Sequence, residues 1–134
     1  MIIGFDFDGT LTERNEFPNI GKPNEQMIAL CKRAQNLGIE TILWTCRVEK
    51  ELQSAVNFCK KHGLKFSAIN DNAPSNIETF KNVYKEQPRK IYCDYYVDDK
   101  GIGYYPICAA VELSKILDNY ETKLRGVKNI IDTP

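Results

Sequence analysis

The amino-terminal run Met1-Ile2-Ile3-Gly4-Phe5 is apolar or small throughout and passes directly into Asp6-Phe7-Asp8-Gly9-Thr10. Such a run reads as a buried strand, and Gly9 as the turn that stops it. Side chains alternate along a strand, so Asp6 and Asp8 point one way and Phe7 the other. Two carboxylates this close repel each other. They are tolerated together if a cation sits between them or if one keeps a proton. A carboxylate pair at the end of a buried strand, followed by a Gly-Thr turn, is therefore a candidate metal and phosphate site.

Strand-like and helix-like stretches alternate along the rest of the chain, which predicts an α/β fold with a parallel sheet covered by helices on both faces. Residues 11–22 are polar, contain Pro18 and Gly21 and lack a steady period, as expected of a loop or small hairpin flap. The spacing predicts a helix over 24–37, with Met27, Ile28, Cys31, Ala34 and Leu37 on one stripe and Gly38 as its stop. A strand over 39–45 and a helix over 49–62, stopped by Gly63, follow. Next come a strand over 65–69, a helix over 76–85, a strand over 91–97 and a final helix over 107–124. Residues 126–134 are left open between a short edge strand and disorder. There is no internal repeat, low-complexity tract or linker.

The length of 134 residues suits one domain over 1–134 with a substantial core. Lys plus Arg equals Asp plus Glu at 18 each, so no net field recruits nucleic acid or an anionic membrane. The five cysteines, Cys31, Cys46, Cys59, Cys93 and Cys108, are scattered without a Cys-x-x-Cys pair. Most fall inside expected helices or strands, which suits buried thiols in a reducing compartment. No run approaches the roughly 18 apolar residues of a membrane span, and the first residues read as a core strand instead of a leader. We therefore expect a cytoplasmic protein with no membrane partner.

In open parallel sheets ligands bind at the carboxyl ends of the strands. That edge gathers three polar clusters, each following an apolar strand: Asp6 to Thr10, Thr45-Cys46-Arg47, and Asp98-Asp99-Lys100. In order and context they resemble the motifs of the haloacid dehalogenase (HAD) superfamily. Asp6-Phe7-Asp8-Gly9-Thr10, followed by Leu11-Thr12, matches the first motif, and Thr45 after Ile42-Leu43-Trp44 the second. Lys90 best matches the third, in competition with Lys81, Lys85 and Lys100, and Asp98-Asp99 after Tyr95-Tyr96-Val97 matches the fourth. The resemblance covers the chain to about Gly103.

The resemblance implies a three-layer Rossmann-like (HAD-like) fold and a Mg²⁺-dependent phosphomonoester hydrolase. Asp6 attacks phosphorus to form an aspartyl-phosphate, and Asp8 protonates the leaving alkoxide, then activates water. Asp6, Asp98 and Asp99 serve the metal, with Asp8 joining through its backbone carbonyl. Thr45 and Lys90 stabilise the transferring phosphoryl group, aided by amides near Gly9 and Cys46. Thr10, Arg47 and Lys100 are further substrate-binding candidates. Dehalogenase members lack the second aspartate, so Asp8 favours phosphate chemistry.

Neither gap between motifs can hold a cap domain of about 50 residues. A capless member with an open site follows, with the flap as its local lid. Such members accept bulky substrates or close the site with a second subunit, so a homo-oligomer is a possible partner. A small phosphorylated metabolite is the first substrate expectation. A nucleic-acid 3′-phosphate is the second, because the Asp-Asp-basic motif is similar to that of the phosphatase domain of polynucleotide kinases, although Lys100 stands where arginine is usual there. A receiver-like signalling module has its motifs in a different order, and a non-catalytic binding protein would be expected to lack a motif residue. Cys46 is not part of the Cys-x-x-x-x-x-Arg loop that a cysteine phosphatase needs.

Overall fold

The computed structural model describes residues 1–131. Four parallel strands, β1 (Ile2–Phe5), β2 (Glu40–Leu43), β3 (Ala68–Ile69) and β4 (Tyr95–Val97), form one sheet in the order β3-β2-β1-β4. Helices α1 (Glu25–Asn36), α2 (Glu49–Lys61), α3 (Pro74–Val83) and α4 (Pro106–Ile131) flank it. The layout is Rossmann-like, and it carries no separate cap. Right-handed crossovers explain the layering. The steps β1 to β2 to β3 run in one direction and put α1 and α2 on one face, while the return to β4 at the far edge puts α3 on the other.

The two faces are covered unequally. On the first, Ile3, Phe5, Leu43 and Val97 pack with Met27, Ile28, Cys31 and Ala34 of α1, Ala55 and Cys59 of α2, and Leu113 and Leu117 of α4. Arg33 fastens α1 to α4 through Asp118 at 2.8 Å and Glu121 at 2.9 Å. On the second, Ile2 and Ile42 meet Ala73, Ile91 and Cys93, and no residue of α3 is buried. Gly4 is needed there because a Cβ would meet the Cys93 Sγ at 2.8 Å.

Several boundaries differ from expectation. The 91–97 stretch joins β1 only from Asp94, whose N–H donates to the Ile2 carbonyl at 2.8 Å, with Tyr95–Val97 in register; upstream, the Tyr96 hydroxyl holds the Ile91 carbonyl and the Cys93 N–H instead. β3 is short because the Lys65 N–H donates to the Gln35 side chain at 2.8 Å instead of to a strand. α3 starts at Pro74, whose missing N–H costs nothing in a first helical turn. The expected strand or disorder over 126–134 is replaced through Ile131 by a continuation of α4, where Leu124, Val127 and Ile131 recur at helical spacing. Residues 132–134 lie outside the described residues. The flap expectation holds: Thr12 bridges Pro23 antiparallel, and the Glu13 N–H donates to the Lys22 carbonyl at 2.8 Å. No helix among the described residues is long and apolar enough to cross a membrane. Cys31, Cys59 and Cys93 are buried, whereas Cys46 and Cys108 are exposed, and all five thiols are free.

Candidate active site

The chain leaves β1 with one more rung of the ladder, the Asp6 N–H donating to the Val97 carbonyl at 2.9 Å. Asp6 thus sits where the chain order reverses between β1 and β4, the crevice that α/β sheets offer to ligands. The chain then winds through Phe7–Leu11 with Gly9 at φ 80°. Glycine is required twice over at that point. The left-handed conformation disfavours a side chain, and a Cβ would collide with the Asp99 carboxylate.

This close approach brings Asp6, Asp98 and Asp99 together, each able to offer a carboxylate oxygen within 4.8 Å of the others. Thr10, fully buried, links them: its hydroxyl accepts from the Asp99 N–H at 3.1 Å and donates to Asp6 Oδ2 at 3.0 Å. The Asp98 carboxylate accepts the Lys100 N–H at 2.9 Å, which fixes the turn after β4. Burial, a hydrogen bond with Asp99 and the charge of Asp98 push the Asp6 carboxyl up to about 8, with Thr10 opposing the shift. Among the described residues no lysine or arginine lies within ion-pair distance of Asp6. The Tyr104 hydroxyl is buried beside this cluster with no hydrogen bond of normal geometry. Burial raises its phenol against an opposing influence from Thr10, and Asp99, Asp6 and Asp98 add to the rise.

Asp8 is held apart from the acidic triad. Both of its carboxylate oxygens accept from Arg47, Oδ2 from Nε at 2.7 Å and Oδ1 from Nη2 at 2.8 Å. Its carboxylate is therefore committed to Arg47 and is not one of the three grouped carboxylates. Arg47, expected to touch substrate, is 1% exposed and wholly committed to protein acceptors. Thr10 likewise faces Asp6 and Asp99 instead of solvent, and the Gly9 N–H is taken by the Thr12 hydroxyl at 3.0 Å. These three candidates shape the site from behind.

Thr45 lies at the end of β2, its N–H held by Asn70 Oδ1 at 2.8 Å and its hydroxyl accepting from the Arg47 N–H at 3.1 Å. The hydroxyl proton is left to point elsewhere. Cys46 and Lys100 are exposed on their respective loops. Lys90 is not drawn into the triad: its ammonium lies 5.4 Å from the centroid of the Tyr96 ring. Tyr96 pairs in register with Gly4, two residues before Asp6 on the same sheet face.

Asn70 and Asn72 hold the loops around the site, and sequence reasoning missed the role of Asn24. Asn70 adopts φ 51°, which asparagine tolerates better than most residues, and so turns its amide onto Thr45. Asn72 is buried and accepts the Tyr92 N–H at 2.8 Å. Asn24 caps α1 and reaches the Thr10 carbonyl at 3.1 Å. Its position directly before the Met27 stripe was the available signal. A cavity of about 450 Å³ lined by Leu43, Val56, Cys59, Leu64, Phe66 and Ile69 is apolar and touches none of these residues.

No family model and no curated protein matches the chain. Among solved structures, a conserved protein from Bacteroides thetaiotaomicron is 28% identical with a TM-score of 0.70, over 92% of this chain and 91% of that one. A structural-genomics target from Vibrio cholerae is 19% identical with a TM-score of 0.45, over 88% of this chain and 97% of that one. The chain is thus similar in fold and length to the Bacteroides protein, whose description names no activity.

Proposed function

We propose that this protein is a Mg²⁺-dependent phosphomonoester hydrolase that forms an aspartyl-phosphate on Asp6, acting on a small phosphorylated metabolite. The observation that carries the reading is the convergence of Asp6, Asp98 and Asp99 with no lysine or arginine of the described residues at ion-pair distance from Asp6. The donor set fits Mg²⁺: it consists of hard oxygens, and the crowding that raises Asp6 would be relieved by a divalent ion. Asp6, Asp98 and Asp99 would hold the metal, with the Asp8 backbone carbonyl as the further donor that the family resemblance implies. When bound, Mg²⁺ offsets the repulsion between a carboxylate and an anionic phosphate ester.

The chain's own residues supply the rest. Thr10 fixes Asp6 through Oδ2, which aims the carboxylate at the crevice. An Asp6 oxygen forms the new bond to phosphorus, and the ester P–O bond breaks with its electron pair on the leaving oxygen. The resemblance assigns to Asp8 the proton which that oxygen takes and the deprotonation of the water that cleaves the aspartyl-phosphate, a role for which its carboxyl would have to leave the Arg47 fork and take up a proton from solvent. The Thr45 hydroxyl donates to the phosphoryl oxygens, where positioned donors matter most.

The test is hydrolysis of para-nitrophenyl phosphate and a panel of sugar phosphates, with and without Mg²⁺, beside a 3′-phosphorylated oligonucleotide. Turnover that needs Mg²⁺, stops with chelator and is lost in Asp6→Asn is the expected result. Metal-independent turnover, or an Asp6→Asn variant as fast as the native protein, would remove the proposal. Preference for the oligonucleotide would move the substrate class to nucleic acid.

A further inference from the structure

The Tyr104 hydroxyl is a buried donor that makes no hydrogen bond of normal geometry among the described residues. Its ring packs against the core on the first face of the sheet. Thr10 is its neighbour there: burial raises the phenol, Thr10 opposes that rise through its hydroxyl, and the charges of Asp99, Asp6 and Asp98 add to it. A buried polar group without a partner destabilises a fold. Phenylalanine would pack equally well, so packing gives no reason for the hydroxyl.

Thr10 has a place for it. A hydroxyl carries one proton and two lone pairs. The Thr10 proton goes to Asp6 Oδ2 at 3.0 Å and one lone pair takes the Asp99 N–H at 3.1 Å, so a single lone pair is left. A donor on that lone pair would leave the Thr10 proton no direction but Asp6, and each hydrogen bond in such a chain strengthens the next. The backbone of Tyr104 is tied to the same acids. The Gly101 N–H donates to the Asp98 carbonyl at 3.1 Å and the Tyr104 N–H to the Gly101 carbonyl at 3.1 Å, so two linked turns run from Asp98 to Tyr104. Whatever fixes Asp98 also bears on where Tyr104 stands.

We propose that Tyr104 is a positioning residue of the acidic triad: with a cation held by Asp6, Asp98 and Asp99, its hydroxyl closes onto the remaining lone pair of Thr10 and keeps the Thr10 proton on Asp6. The inference rests on the reading of the triad as a metal centre. Tyr104 neither holds the metal nor exchanges a proton. It fixes the orientation of the Asp6 carboxylate through Thr10.

Tyr104→Phe removes the hydroxyl and keeps the ring, so a role in packing alone leaves metal binding unchanged. Mg²⁺ affinity of the whole chain, measured by calorimetric titration, should fall about tenfold in this variant, as for a lost hydrogen bond behind a metal ligand. In chelator the variant should melt at or above the native temperature, because it no longer buries an unpartnered hydroxyl. Mg²⁺ should then raise its melting temperature less than it raises that of the native protein. Thr10→Val removes the acceptor, and the double variant should bind Mg²⁺ no more weakly than Thr10→Val alone. Affinity of Tyr104→Phe within about twofold of native, or additive losses in the double variant, would overturn the proposal. If Thr10→Val does not fold, Tyr104→Phe decides by itself. A native protein that binds no Mg²⁺ would overturn the metal reading and the proposal together, whereas native binding left intact by Tyr104→Phe would overturn the proposal alone.

Discussion

Asp6 and Lys90 belong to the same face of the sheet, yet the chain holds them in opposite ways. Asp6 is fixed at both ends, its N–H on the Val97 carbonyl and its carboxylate on buried Thr10, with Asp99 lodged against Gly9 beside it. Lys90 closes a stretch, 81–90, in which every residue is exposed, and its ammonium rests only over the Tyr96 ring. The acidic side of the site is thus built into the core by short-range turns off β1 and β4. Lys90, the lysine that the family resemblance matches to the third motif, hangs on the thinly covered second face, where α3 buries nothing. Substitutions in the first region should cost stability and function together, and those in the second should touch function alone.

The largest effect is expected from Arg47→Ala. It leaves the partly buried Asp8 carboxylate unpaired, a change that costs about 3–5 kcal/mol, to be measured by denaturant unfolding. A loss under about 1 kcal/mol would mean that the pair is open to water. Next, Gly9→Ala places a Cβ against Asp99 at a strained φ. It should destabilise by about 1–3 kcal/mol and weaken Mg²⁺ binding in a calorimetric titration. Native-like metal affinity would show that Asp99 can move without harm.

A pH series on the metal-free protein tests the crowding itself. The carboxyl of Asp6 is raised from 3.8 in the unfolded chain to about 8 when folded. Between those values the folded state binds the extra proton, so this group makes stability fall as pH rises from about 4 to about 8, and its contribution is constant above. Thermal melts should follow that sign, and Mg²⁺ should flatten the slope. A metal-free protein that grows more stable across this range in proportion to Asp6, as shown by a reversed difference between native and Asp6→Asn, would contradict the electrostatic account. The smallest structural effect belongs to Lys90→Ala, within about 0.5 kcal/mol of native stability. If Lys90 reaches the phosphoryl group during turnover, kcat falls at least about tenfold without that stability loss. Unchanged kcat would remove Lys90 from the site.

The legibility of these features in sequence follows the same division. The strand before Asp6, the helix stripe from Met27 to Ala34 and the hairpin at residues 11–22 are local patterns, and the structure holds each of them. The parallel sheet with helices on both faces followed from the alternation of elements, a general rule, whereas the strand order was not legible in the sequence. What sequence hid was the choice of partner. Arg47 reads as a substrate-binding cation beside Thr45 and Cys46, and only the tertiary approach of the flap and Asp8 makes it a buried hub. Thr10 and Gly9 read as phosphate contacts because the turn composition suits that role equally well. Their hydrogen bonds turn inward because Asp99 and Thr12 arrive first. The late start of β4 goes with one side chain, the Tyr96 hydroxyl, whose bonds to Ile91 and Cys93 no periodicity reports.

Phosphorylation of Asp6 can be read out by chemical trapping. Protein turning over para-nitrophenyl phosphate with Mg²⁺ is quenched with borohydride, which reduces an acyl phosphate to an alcohol, then digested and sequenced by mass spectrometry. Asp8→Asn, impaired in hydrolysing the intermediate, provides a second sample in which it accumulates. Homoserine at position 6 in both samples is the predicted result. Sustained Mg²⁺-dependent turnover with unmodified Asp6, or with the modification on another carboxylate, would contradict the account.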